Sequence, residues 1–243
     1  MTSRFASMPK VELHLHLEGA IPLAAMWELV QRRGGDPAVA TPQDLTTRFA
    51  YTDFAHFIET WVWKNRFLNT YEAFEFAAAA VARHLAEQNI VYAEAFFSPT
   101  DFGSFGLAPS ELAVAIRRGL NQVPETEVAL IVDLVRDTGS ERAALTFDQV
   151  AEVAAEAGVI GIGIGGSEAE FPPELFEDVY RKAGRRGYRL TAHAGEAAGP
   201  PSVWGALRTL GVERIGHGVR SIEDRSLVDQ LVARRIPLEV CPT

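Results

Sequence analysis

The stretch ALIVDLV, residues 129–135, is an apolar run interrupted only by Asp133. A run of this kind without alternation is typical of a β-strand that is buried on both faces, as strands of parallel sheets are. Six other short stretches, several of them also continuously apolar, bring the predicted number of strands to seven. The predicted strands are Val11–Leu15, Ile90–Phe97, Val128–Val135, Val159–Ile164, Arg189–Ala192, Arg214–Gly216 and Pro237–Val240.

Helical patterns fill the intervals between these strands. Repeated strand-then-helix order implies a parallel sheet with right-handed crossovers. About seven such units indicate an α/β fold of the TIM (β/α)8 type in which seven of the eight strands are present. A doubly wound open sheet is the alternative. The predicted helices are Leu23–Arg33, Tyr71–Glu87, Glu111–Leu120, Phe147–Ala157, Pro172–Gly184, Ser202–Leu210 and Asp224–Ala233.

The segment Asp36–Arg66 does not fit a simple strand–helix unit. It is long and rich in aromatic residues, among them Trp61 and Trp63. We interpret it as helices that are inserted after the first strand and cover the mouth of the barrel. Additional core packing under a long excursion is the alternative interpretation.

The composition limits the class of protein. The 243 residues, 47% of them hydrophobic, suffice for one large α/β core, and without repeats or linkers we expect a single domain over residues 1–243. The formal charge of −9 argues against nucleic acid as a partner. No apolar run approaches the roughly 20 residues of a membrane helix, so no membrane partner is expected. The single cysteine, Cys241, fits a reducing compartment, and we expect a cytoplasmic location.

Four of the six histidines stand where predicted strands end. His14 and His16 close the first strand, His193 follows the fifth, and His217 follows the sixth. Barrel enzymes carry their chemistry at the carboxyl ends of the strands. Residues i and i+2 of a strand share a face, so His14 and His16 are able to converge on one ion, and neutral imidazole is a frequent zinc ligand. Taken alone, this pair is better explained by two half-buried polar histidines, but Glu18 and Gly19, an acidic group on a tight turn, follow at once and favour a site.

Two further residues lie beside glycines in these loops. Glu196 follows His193 at a sharp turn, where a carboxylate near a metal would act as a proton shuttle. An acid at the start of a helix is the alternative reading of Glu196. His217 lies between two glycines, which permit close approach of the backbone to a ligand, and a loop histidine in a glycine turn is its alternative.

Three motifs occur in a specific order: VELHLHLEGAIP at 11–22, TAHAGE at 191–196 and RIGHGVRSIED at 214–224. Together they resemble the adenosine deaminase family of the amidohydrolase superfamily, from about Lys10 to the last residue. The resemblance implies a metal-dependent aminohydrolase with one Zn²⁺ ion per chain, which releases ammonia from a small-molecule aminopurine nucleoside.

The resemblance also implies the residues that carry the chemistry. It assigns the zinc ion to His14, His16 and His193. It gives Glu196 the transfer of a proton to purine N1, and it gives His217 the orientation and deprotonation of the attacking water.

Substrate contacts follow from the same resemblance. Glu18 occupies the position of a ribose-contacting aspartate, and Gly166 matches a glycine whose amide contacts the purine ring. Ser98, Arg136 and Glu168 fall near the mouth of the barrel, and we predict substrate contacts for Ser98 and Arg136.

The family pattern continues beyond this chain, which ends at Thr243. It places an aspartate pair at the end of the eighth strand, one as a zinc ligand and its neighbour as a hydrogen-bond partner of the attacking water. Asp133 and Asp224 differ in context from that pair. We therefore expect this chain to be the amino-terminal portion of a longer enzyme.

Three stretches, HLEG, EAFFSPTDF and FIETWVWKNRF, depart from the adenosine-specific pattern and resemble bacterial members that act on aminodeoxyfutalosine or adenine. We expect adenosine or 6-aminodeoxyfutalosine as the substrate, with adenine as the alternative. A binuclear amidohydrolase is less favoured, because no lysine stands at the expected strand end. A catalytically inactive ligand-binding relative is less favoured, because it would need neither Glu196 nor His217. The sequence does not predict an oligomeric state.

Overall fold

A seven-stranded parallel sheet organises the chain, and each strand pairs with the next one in sequence. The computed structural model describes residues 5–241, apart from the side chains of residues 54 and 55, so both ends of the predicted domain lie outside the described residues. The sequential strand order confirms the predicted barrel topology and excludes a doubly wound sheet, whose order reverses at a switch point. The strands are β1 (Lys10–His16), β2 (Ile90–Phe97), β3 (Glu127–Asp133), β4 (Val159–Gly163), β5 (Arg189–Ala194), β6 (Arg214–His217) and β7 (Leu238–Glu239).

Contacts across the sheet show that it curls into a nearly closed barrel. His14 on β1 lies 2.7 Å from the carboxylate of Glu239 on β7, although these strands are the first and last of the sheet. Arg214 on β6 reaches across the interior to Glu94 on β2. Within residues 5–241, no strand pairs with the outer edge of β1 or β7.

The helices cover the outside of the sheet. The predicted helix Phe147–Ala157 is in fact two helices, the first of which begins eight residues earlier, at Gly139. Gly139 and Ser140 obscure this start because both residue types favour turns. The helices are α1 (Leu23–Arg32), α2 (Pro42–Arg48), α3 (Phe54–Asn65), α4 (Tyr71–Glu87), α5 (Pro109–Leu120), α6 (Gly139–Ala151), α7 (Ala154–Ala157), α8 (Glu177–Arg185), α9 (Pro200–Gly205) and α10 (Arg225–Arg234). None of the helices in the described part of the chain has the length and apolar character needed to cross a membrane.

Small residues allow the closest helix pair, α4 and α5, to approach. The alanines of α4 at 77–80 are buried, and Gly119 of α5 faces them. A Cβ atom at Gly119 would lie 2.1 Å from the carbonyl oxygen of Glu75. Only glycine therefore fits at this crossing.

Helices α2 and α3 confirm the predicted helical insertion after the first strand. Trp63 and Phe67 are buried in the core, and Trp63 donates a hydrogen bond to Asp36. Trp61, two residues before Trp63, instead lies edge-on to His16 at the end of β1, with ring centroids 6.2 Å apart. The insertion thus contributes core packing and also borders the ends of the strands.

Candidate active site

Three of the four strand-end histidines bring their ring nitrogens together. His14 and His16 project from one face of β1, and His193 projects from β5, so that one nitrogen of each lies within 4.8 Å of the others. The Nε2 atoms of His16 and His193 are 3.0 Å apart. The structure therefore brings together the three residues that the sequence predicts as metal ligands.

Burial favours the neutral form of His16 and His193. The pKa of His16 falls to about 3 because of burial and then the neighbouring His14, and burial lowers the pKa of His193 well below its ordinary value. Burial, followed by His14, also lowers the pKa of His217 to about 4. The neutral form is the one that binds a metal ion.

Glu239 orients His14, although no sequence motif singled it out as a site residue. An ionised carboxylate only accepts, so Nδ1–H of His14 donates to Oε2 of Glu239 at 2.7 Å, which leaves Nε2 of His14 free to face a metal. Arg214 forms ion pairs with both Glu239 and Glu94, and the side chains of all three are largely buried. The one signal for Glu239 in the sequence was the presence of an acidic residue within the predicted strand Pro237–Val240.

This donor set fits zinc. Three neutral imidazoles are a known zinc ligand set that leaves a position open for water or substrate. The facing Nε2 atoms of His16 and His193 are 3.0 Å apart, near the ~3.3 Å expected between two nitrogens at Zn–N distances of about 2.05 Å. The hydrogen bond from His14 to Glu239 supplies the outer-shell carboxylate that accompanies most metal-binding histidines.

Glu196 and His217 lie next to each other beside this cluster. The Oε2 atom of Glu196 is 3.4 Å from Nε2 of His217, and the His217 ring centroid is 4.7 Å from that of His14. The backbone of His217 is left-handed, with φ of +64°, which turns its side chain off the end of β6. Burial and then the negative charge of Glu168 raise the pKa of Glu196, so this carboxyl holds its proton to higher pH.

Carboxylates link the strand-end loops to one another. Glu18 accepts a hydrogen bond from the Ser98 backbone N–H at 2.9 Å, and the Ser98 hydroxyl donates to Asp133 at 3.0 Å. Asp133 also accepts from the Gly165 N–H at 2.7 Å. Asp133, the last residue of β3, thus joins the loops after β2 and β4.

Arg136 is completely buried and serves the same frame. Its guanidinium donates to the backbone oxygens of Phe171 at 2.6 Å and His193 at 2.7 Å. The side chains of Ser98 and Arg136 therefore hold loops at the site, and their contact with substrate stays a prediction. Gly166 is exposed at the same end of the barrel, with φ of +93°.

A second buried polar group lies under α3. Glu18 is 1% exposed, and its Oε2 atom has no hydrogen-bond partner among the described residues. Lys64 is 2% exposed, donates to Asn65, and lies 3.4 Å from the ring centre of Trp61. Burial raises the pKa of Glu18 and lowers that of Lys64. Lys64 was not predicted as a site residue, because its only signal in the sequence is a charge within an aromatic segment.

A barrel with histidines and a carboxylate at its strand ends defines the class of α/β-barrel hydrolases. The family described as adenosine deaminase matches residues 9–243, so the chain belongs to the adenosine deaminase family and is an aminohydrolase.

Curated relatives agree with this assignment. The adenine deaminase of Ectopseudomonas mendocina is 34% identical over 97% of this chain and 75% of its own length. The aminodeoxyfutalosine deaminase of Streptomyces avermitilis is 33% identical over 99% of this chain and 68% of its own length.

Solved structures share the fold. The adenine deaminase of Arthrobacter aurescens has a TM-score of 0.85 and 31% identity, covering 96% of this chain and 72% of its own. An amidohydrolase from Burkhoderia ambifaria with bound Zn has a TM-score of 0.86 and 28% identity, covering 96% of this chain and 65% of its own.

Proposed function

We propose that this protein catalyses zinc-dependent hydrolytic deamination at C6 of an adenosine-like nucleoside, either adenosine or 6-aminodeoxyfutalosine. The observation that carries the proposal is the pairing of Glu196 with His217 at 3.4 Å, beside three converging imidazoles. Family membership supports the reaction class. A zinc-bound structural relative supports the choice of metal.

His14, His16 and His193 would hold the zinc ion. A zinc ion, when bound, supplies Lewis acidity that lowers the pKa of water to about 7. Glu239 fixes His14 in the tautomer whose Nε2 would be available to the metal.

The remaining chemistry is proton transfer by Glu196 and His217. Glu196, whose pKa is raised, donates a proton to purine N1 and makes C6 electrophilic. His217, kept neutral by burial, accepts a proton from the attacking water. The rest of the water molecule adds at C6 as a hydroxyl group, and His217 passes its proton to the amino group, which leaves as ammonia. The hydroxyl proton returns to Glu196, so a carbonyl oxygen replaces the amino group and both residues regain their starting states.

The sugar side of the substrate is expected near Glu18. Its buried Oε2 atom, unpartnered among the described residues, is an acceptor for a hydroxyl group, and α3 places Lys64 and Trp61 nearby. Adenine is the second candidate substrate, and the names of the adenine deaminase relatives favour it.

Ultraviolet absorbance tests both candidates. The protein is supplied with zinc and with adenosine, aminodeoxyfutalosine or adenine. Loss of the aminopurine band with a higher kcat/KM on a nucleoside supports the proposal, whereas a clear preference for adenine replaces it with the second candidate. No loss of the band with any of the three compounds would refute deamination.

A further inference from the structure

Glu168, in the loop after β4, has a carboxylate that is buried against the loop after β5. Glu168 is only 5% exposed. Its two oxygens accept hydrogen bonds from four consecutive backbone N–H groups, those of residues 195–198, and the last three measure 3.1, 2.8 and 2.9 Å. Among the described residues, no lysine or arginine forms an ion pair with Glu168, so these N–H groups are its direct partners.

The segment that Glu168 binds is the one that carries Glu196. Arg220 holds the opposite edges of the same peptides, because its backbone N–H donates to Gly195 O at 2.9 Å and its Nη1 donates to Ala197 O at 3.0 Å. The four N–H groups on the other side converge on Glu168 alone. Removal of this acceptor would leave several backbone donors unpaired in a partly buried place, which is costly.

We propose that Glu168 is a positioning residue for Glu196, which it holds in place through the backbone of residues 195–198 without contacting the substrate. The effect on catalysis rests on the proposed function, in which Glu196 donates the proton. Displacement of a proton donor by about 1 Å is enough to lower a rate by about a hundredfold. The negative charge of Glu168 also contributes to the raised pKa of Glu196.

Glu168→Gln tests this role, and Glu170→Gln is its matched control. Glutamine keeps the size of glutamate but places an NH₂ group against N–H donors. Glu170 lies two residues away in the same loop and is exposed, so its substitution makes the same change of charge without removing these hydrogen bonds. Amide hydrogen exchange measured by NMR reports each N–H group separately, with or without catalysis.

We expect the amides of residues 196–198 to exchange about tenfold faster or more in Glu168→Gln and at the original rate in Glu170→Gln. We expect kcat of Glu168→Gln to fall roughly tenfold to a hundredfold with little change in KM. Zinc content is expected to stay the same, because the three metal-binding histidines are untouched.

The pH profile of kcat/KM distinguishes a positioning role of Glu168 from a purely structural one. The charged and titratable groups that face Glu196 are Glu168, His14, His217 and Cys241. Loss of the Glu168 charge lowers the pKa of Glu196, and a proton donor is inactive above its pKa, so the basic limb of kcat/KM moves to lower pH in Glu168→Gln. Glu168→Asp keeps the negative charge, but its side chain is shorter by one methylene group and its carboxylate lies farther from the N–H groups. We therefore expect the amides of residues 196–198 to exchange faster in Glu168→Asp, with a smaller shift of the basic limb than in Glu168→Gln.

Unchanged amide exchange in both Glu168→Gln and Glu168→Asp would overturn the proposal. So would a kcat of Glu168→Gln equal to that of Glu170→Gln. If Glu168→Gln does not fold, Glu168→Asp decides by the same two measurements. If the unsubstituted protein deaminates no aminopurine, the proposed function fails, and the exchange rates still decide whether Glu168 holds this loop.

Discussion

Replacement of Glu239 tests whether the histidine cluster is a metal site with an outer shell. The His14 Nδ1–H donates to the Glu239 carboxylate at 2.7 Å, and both side chains are more than nine-tenths buried. Glu239→Gln retains an acceptor of the same length but removes its charge. The hydrogen bond to His14 then becomes a neutral one, and Arg214 keeps only Glu94 as a full ion-pair partner.

The expected loss of zinc affinity follows from this change of charge. A hydrogen bond to a charged group contributes about 1.5–3 kcal/mol, and a neutral one about 0.5–1.5 kcal/mol. The midpoints of these ranges differ by about 1.25 kcal/mol, which corresponds to a Kd for zinc that is weaker by nearly tenfold. This value lies at the lower end of the 10–100-fold losses that are typical of outer-shell substitutions.

Competition with a chromophoric chelator at neutral pH measures the affinity directly. Glu213→Gln is the matched control, because Glu213 forms a solvent-exposed ion pair with Arg189 and is remote from His14. We expect the control to bind zinc as the unsubstituted protein does, since exposed pairs contribute little. A Glu239→Gln protein that folds and binds zinc within about twofold of the control would refute the role assigned to Glu239.

Three further outcomes are expected. Glu196→Gln lowers kcat by about 10²–10⁴-fold at unchanged zinc content, and an unaltered rate would remove this residue from the chemistry. Burial and a neighbouring carboxylate raise the pKa of Asp101 from 3.8 to about 6 in the folded protein. The unfolded chain therefore loses the Asp101 proton at a lower pH than the folded protein does. As the pH rises from 4 to 6, the free energy of unfolding falls by up to about 3 kcal/mol. Urea unfolding at several pH values measures this decline. We expect it to disappear in Asp101→Asn and to remain in Asp178→Asn, a control at an exposed aspartate. Gly166→Ala and Gly187→Ala both strain a left-handed backbone, but only at Gly166 would the new Cβ meet a side-chain oxygen, Oδ2 of Asp137 at 2.1 Å. The exposed Asp137 side chain is able to turn away only by giving up its hydrogen bond from the Ser167 N–H. We therefore expect Gly166→Ala to be about 1 kcal/mol less stable than Gly187→Ala in thermal unfolding, and equal Tm values would count against this clash.

The strands were predictable because burial on both faces leaves a direct trace in the sequence. ALIVDLV and six other short stretches each coincide with an observed strand, to within one to two residues at most ends. The start of α6 was not predictable in the same way. Gly139 and Ser140 have turn propensities, and only the packing of the following turns against the barrel overrides them.

The sequence by itself also determined which residues end the strands. His14, His16, His193 and His217 follow from strand periodicity and from the rule that parallel strands present their carboxyl ends on one face of the barrel. The motifs around them were sufficient to indicate the family that the comparisons confirm.

Only the tertiary structure decided which partners these residues have. Glu239 lies 225 residues from His14 in sequence, and the two meet because the curl of the sheet brings β7 beside β1. Glu168 reaches residues 195–198 because the loops after β4 and β5 are neighbours on the barrel rim. A sequence pattern specifies the face on which a side chain lies, but strand register and barrel curvature determine what that side chain meets.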